Sequence, residues 1–154
     1  VINYHLEPLL EYCIRITDKE FVAKDKLNLD VDSIDKYIKE HIDHEVYSIP
    51  LKSIRNFATF QECNYPWTSR LLESYLLTAS NQFKLYISDY LNKNNVCGVV
   101  SFKVSDLLFN NLIVIALAKN NVKLAKKEAL EFLATEGYIV QRRYSDIEEI
   151  LTKA

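Results

Sequence analysis

The chain has 154 residues, 49% hydrophobic and 26% charged, with a formal net charge of −2. That is enough apolar material for one buried core and excludes low-complexity disorder, while only two glycines exclude collagen-like or glycine-rich architecture. The chain begins at Val1 and contains no methionine, which reads as a processed chain or a segment of a larger protein, with residues 1–154 expected to form a single domain.

The small net charge hides an asymmetry. Residues 1–50 carry 6 basic and 11 acidic side chains, residues 51–100 carry 5 and 3, and residues 101–154 carry 8 and 7. An acidic N-terminal third repels phosphate, so any nucleic-acid surface is expected further along. Cys13, Cys63 and Cys97 are widely spaced and form no C-x-x-C pair, a pattern that fits small buried thiols in a reducing compartment. The longest apolar run, Leu112 to Ala118, is far shorter than the ~20 residues of a membrane-spanning helix. No basic segment followed by an apolar one marks a secretory signal at the N-terminus. A cytoplasmic protein that does not enter membranes is expected.

Residues 6–16 begin with Leu6, Leu9 and Leu10 at helical spacing and could finish as extended chain at Cys13 to Ile16. Asp32 or Ser33 can cap a helix with Ile34, Tyr37, Ile38, His41 and Ile42 on one stripe, ending before Pro50. Residues 51–63 read as a second helix or helical turn, broken at Asn64-Tyr65-Pro66. A third helix is expected from Trp67 to Ala79, with Leu72, Tyr75, Leu76 and Ala79 on one face. The period then changes to alternation. Phe83, Leu85 and Ile87 mark one strand and Val96 to Val104 a second, joined by Asn92-Lys93-Asn94-Asn95 into a central β-hairpin in which Gly98 marks a bulge.

Ser105 can cap a helix from Asp106 to about Asn120, apolar nearly all round and so expected at the centre of the fold. Leu124 to Glu136 forms another helix, closed by Gly137. Tyr138 to Tyr144 reads as a short strand. Ser145-Asp146-Ile147-Glu148 is a capping box opening a last helix with Ile147, Ile150 and Leu151 inside. The fold class is therefore α+β: a predominantly helical domain with a central β-hairpin and a C-terminal helix-strand-helix. That last block, LAKKEALEFLATEGYIVQRRYS, resembles the recognition-helix-to-wing passage of winged-helix domains. The resemblance implies a nucleic-acid-binding module, with the preceding helix-turn-helix element reduced here to Lys119-Asn120-Asn121-Val122-Lys123.

Several residue groups could carry function. Lys123, Lys126, Lys127, Arg142 and Arg143, with Tyr144 beside them, are the candidate contacts to DNA, and Glu128, Glu131 and Glu136 dilute their charge. Phe57, Phe60, Tyr65 and Trp67 form a dense aromatic cluster. It reads as a helix-corner core or as a partner anchor, with Tyr65 and Trp67 as the contacts. His41 and His44 have an H-x-x-H spacing, but nothing nearby completes a zinc set, and His41 fits the apolar stripe. Asp30, Asp32 and Asp35 resemble a calcium loop without its turn glycine, so acids favoured by a helix N-terminus explain them better. Adjacent Glu148 and Glu149 point apart on a helix and cannot share a substrate. No G-x-S-x-G, Walker or dinucleotide-binding motif occurs, so neither an enzyme nor a cofactor is expected. The function expected is a non-catalytic intracellular module for association with protein or with another part of its own chain. The alternative is a winged-helix-like module that binds DNA.

Overall fold

The computed structural model describes residues 12–17, 19–42, 45–58, 60, 62–86, 98–103, 107–139 and 144–153. It is a mixed α+β fold, and among the described residues no helix is long and apolar enough to cross a membrane. Strands β1 (Cys13–Arg15) and β2 (Phe21–Ala23) pair antiparallel, Ile14 opposite Val22. The extended finish expected after Tyr12 is therefore β1. Residues 6–11, where a helix was expected, lie outside the described residues.

Helix α1 (Val31–His41) follows the apolar stripe: Ile34, Ile38 and Ile42 are buried, and Tyr37 and His41 half-buried. Its cap is Asp30 rather than Asp32 or Ser33, because the Asp30 carboxylate accepts from the Ser33 amide at 3.2 Å. Helix α2 (Ser69–Thr78) is capped by Thr68, whose hydroxyl accepts from the Leu71 amide at 3.0 Å. Of the helix or helical turn expected across residues 51–63, the described residues show the turn. Leu51–Ser53 makes one 3-10 turn, and the chain then runs irregularly. The Asn56 side chain captures the Ala58 amide at 3.1 Å. Local side-chain bonds of that kind compete with a helix.

The hairpin gains a third strand that the sequence did not suggest. β3 (Ser48–Pro50), β5 (Val99–Phe102) and β4 (Phe83–Tyr86) form an antiparallel sheet with β5 in the centre. Ile49 lies opposite Val100, which lies opposite Leu85, and Phe83 lies opposite Phe102. Leu51 bonds Gly98, so in the alternating ladder Pro50 directs its missing N–H to the open edge, where proline costs least. Gly98 precedes β5 at φ +132°; a Cβ there would lie 2.8 Å from Tyr86 O. The turn at residues 92–95 lies outside the described residues.

Alternation gives the sheet two apolar faces. Ile49, Val100, Leu85, Phe83 and Phe102 join a core with α1 and α2, built on Ile34, Ile38, Leu72 and Tyr75. Val99 and Tyr86 join a second core with α3 (Phe109–Lys119), α4 (Lys126–Glu136) and α5 (Ile147–Lys153). A smaller cluster of Ile14, Ile16, Leu27, Cys63 and Leu71 closes the β1–β2 end.

Helix α3 starts at Phe109, three residues later than expected, because the Asn111 side chain accepts from the Leu108 amide at 2.8 Å. It is not buried on every side: Leu112, Ile113, Ala116 and Leu117 are buried, Val114 and Ile115 half-buried, and Ala118 exposed. Gly137 ends α4 in the left-handed region at φ +102°, as expected. Of the strand expected over Tyr138–Tyr144, the described residues Tyr138, Ile139 and Tyr144 are not in a strand, and the amides of Tyr138 and Ile139 fold back onto Leu133 O at 2.8 and 3.3 Å. Residues 140–143 lie outside the described residues. Helix α5 buries Ile147 and Ile150, but Asp146 rather than Ser145 stands at its start, the Ile150 amide bonding Asp146 O at 3.0 Å.

Candidate functional site

A groove of about 410 Å3 runs between the first turns of α3 and α5. Its walls are Leu107, Leu108, Val114, Ile115 and Ile150, with Asn110, Asn111 and Glu149 among them. At the lip Leu108 is 71% exposed, more than any other leucine among the described residues. It is held there by its own amide, tied to Asn111, and by the α3 start that follows. The sequence reading missed the groove because it placed Leu107 and Leu108 inside a helix apolar nearly all round and so expected to be buried.

One wall is rigid through a polar chain. The Tyr144 hydroxyl donates to Asn110 Oδ1, and Asn110 Nδ2 donates to Asp146 Oδ2 at 3.2 Å. Phe109 packs edge-on to the Tyr144 ring at 5.7 Å. Burial, and then the neighbouring Asp146 charge, push the Tyr144 phenol up to about 12. Tyr144 is thus a half-buried strut joining α3 to α5.

Lys123, Lys126 and Lys127 are exposed, and Lys126 pairs with Glu148 at 3.4 Å. Lys126, Lys127, Leu130 and Glu131 line a second hollow of about 380 Å3. Arg142 and Arg143 lie outside the described residues.

Tyr65 and Trp67 are half-buried, and the aromatic cluster is part of the packing. Trp67 meets Phe60 edge-on at 5.0 Å and Tyr75 at 6.3 Å, while Phe57 meets Phe60 at 5.6 Å. Such pairs hold a corner together more than they offer a surface. Cys63 is buried and free; burial pushes its thiol up, and the S–H donates to Tyr65 O at 3.4 Å. His41 bonds Tyr37 O through Nδ1 at 2.8 Å, and His44 lies outside the described residues. Among the described residues no three metal-ligating side chains converge.

The three aspartates separate in role. Asp30 caps α1 and Asp32 is exposed, but Asp35 is completely buried. Its Oδ1 accepts from the Tyr75 and Ser80 hydroxyls, both at 2.7 Å, and its Oδ2 from the Asn81 and Gln82 amides, both at 3.1 Å. One carboxyl group thereby joins α1, the end of α2 and the turn into β4. Tyr75 is fully buried, and burial together with the Asp35 contact holds its phenol far above the ordinary tyrosine range. Spacing alone could not reveal this, since the partners lie 40 to 47 residues away.

No protein-family model matches the chain, and neither a curated protein nor a solved structure is significantly similar to it.

Proposed function

We propose that the chain is a non-catalytic module that associates with protein, and that the groove between α3 and α5 is the contact surface. The observation that carries this reading is Leu108, 71% exposed at the lip of a groove walled by four further aliphatic side chains. Seating one aliphatic side chain there removes both it and Leu108 from water, about 1.5–3 kcal/mol for each fully buried group. Asn110, Asn111 and Glu149 among the apolar walls offer polar groups to fix the orientation of the guest. The occupant that fits is a peptide segment with an aliphatic anchor, from another protein or from elsewhere in the parent chain. An intracellular setting is in keeping with unpaired Cys13 and Cys63. Tyr65 and Trp67 are a weaker anchor, because their rings are committed to packing.

The DNA-binding alternative rests on exposed Lys123, Lys126 and Lys127, with Arg142 and Arg143 further along. It draws less support, because Lys126 is paired with Glu148 and the Tyr144 hydroxyl is engaged by Asn110. The test is a display-library selection for peptides on the immobilised chain, counter-selected against Leu108→Asp. Enrichment of aliphatic-anchored peptides that discriminate the two proteins supports the groove. Peptides that bind both equally, or no enrichment, reject it.

A further inference from the structure

Leu108, the lip of the groove, sits between two peptide groups that are both bonded. In the group before it, Leu107 O accepts from the Tyr86 hydroxyl, and the Leu108 amide of the same plane donates to Asn111 Oδ1 at 2.8 Å. In the group after it, Leu108 O accepts from the amides of Asn111 and Leu112 at 3.0 and 3.2 Å. A peptide group is planar, so bonding both of its ends fixes its tilt, and two fixed planes fix φ and ψ of the residue between them. Leu108 stands at φ −81° and ψ 163°, and those angles aim its Cβ.

The bonds from Asn111 and Leu112 belong to α3 and move with it. The Tyr86 bond reaches the lip from β4, 21 residues earlier in the chain. We infer that Tyr86 is a positioning residue of the groove: its hydroxyl ties the peptide group between Leu107 and Leu108 to the sheet and so sets how wide the groove opens to an aliphatic guest. The inference rests on the groove being the contact surface proposed above. The Tyr86 ring is itself held in place. Its centroid lies 6.4 Å from that of Phe109, in the first turn of α3, and Lys84 Nζ lies 4.7 Å from it. Phe109 also meets Tyr144, so two tyrosines packed on one phenylalanine hold the groove: Tyr86 the lip through Leu107, Tyr144 the wall through Asn110. A guest then binds without first ordering Leu108, a cost that a loose side chain would add. Tyr86→Phe keeps the ring and removes only the tie.

The experiment compares the full wild-type chain with Tyr86→Phe, Leu108→Asp and Thr68→Ala, the last losing the α2 cap, which does not line the groove. Backbone 15N relaxation is read without any peptide. It is expected to give Leu108 an order parameter near the ~0.85 of rigid backbone in the wild type and Thr68→Ala, and below ~0.6 in Tyr86→Phe. Anisotropy then uses the display-selected peptide in two versions, with leucine or phenylalanine as the anchor. The leucine version is expected to bind Tyr86→Phe roughly 3–10-fold more weakly, with its preference over phenylalanine reduced by at least about threefold. Thr68→Ala is expected to bind as the wild type does, which separates positioning from a general loss of stability. An unchanged Leu108 order parameter in Tyr86→Phe, or unchanged affinity and preference, overturns the role of Tyr86; the groove reading stands if Leu108→Asp still loses binding. Leu108→Asp binding as tightly as the wild type overturns the groove reading and the role of Tyr86 with it.

Discussion

Replacing Asp35 with alanine removes the acceptor shared by four donors, and the cost can be worked group by group. The Tyr75 hydroxyl falls back on Val31 O and is not orphaned. Ser80 is 2% exposed and loses the acceptor for its proton, a full desolvation loss of about 1–3 kcal/mol. Asn81 and Gln82 are exposed residues, so water partly replaces their bonds, leaving about 0.5–1.5 kcal/mol each. Asp35→Ala is therefore expected to cost about 2–6 kcal/mol. With a urea slope of about 2 kcal/mol per M, equilibrium unfolding should show the midpoint falling by about 1–3 M. Asp35→Asn keeps one accepting oxygen and turns a donating NH2 toward the other pair of donors, so it should cost less than Asp35→Ala but not nothing. A loss below about 1 kcal/mol for Asp35→Ala would refute the claim that this carboxyl joins α1 to the turn before β4.

Trp67→Ala should cost about 2–4 kcal/mol in the same assay, because the ring packs on Phe60 and Tyr75; a neutral result would return Trp67 to the surface as an anchor. Gly137→Ala should cost about 1–2 kcal/mol, since φ is +102° and a Cβ would lie 2.6–2.9 Å from the Lys52 side chain. Adding Lys52→Ala should restore only the steric part. Tyr144 is held up to about 12 in the fold against an ordinary ~10. A raised folded value means its contribution is fully present below pH ~10 and is lost as pH rises toward ~12. Tyr144→Phe should therefore flatten the alkaline stability profile, and an unchanged slope would count against burial of the phenol beside Asp146.

What the sequence made legible were the elements that carry their own signals. The Ile34, Ile38, Ile42 stripe, the Leu72, Tyr75, Leu76 face, Gly137 and the alternation from Phe83 each encode local geometry. Three-residue strands do not: β3 contains a proline and exists because Val100 lies opposite Ile49. Residues 51–63 read as a helix or helical turn; the turn forms at Leu51–Ser53, and beyond it the Asn56 side chain takes the Ala58 amide. Of the candidate site, Leu107 and Leu108 were visible only as members of an apolar run. The exposure of Leu108 goes with α3 starting at Phe109, where the Asn111 side chain holds the Leu108 amide. Asp35 was hidden among acids that a helix N-terminus favours anyway.

The central claim is that the α3–α5 groove seats an aliphatic anchor at Leu108. The direct measurement is fluorescence anisotropy of a selected peptide on the wild-type chain and on Leu108→Asp. The account predicts affinity at least about tenfold weaker for the variant, the equivalent of about 1.4 kcal/mol, with unfolding midpoints unchanged because Leu108 is already exposed. Equal affinity for the two proteins would contradict it.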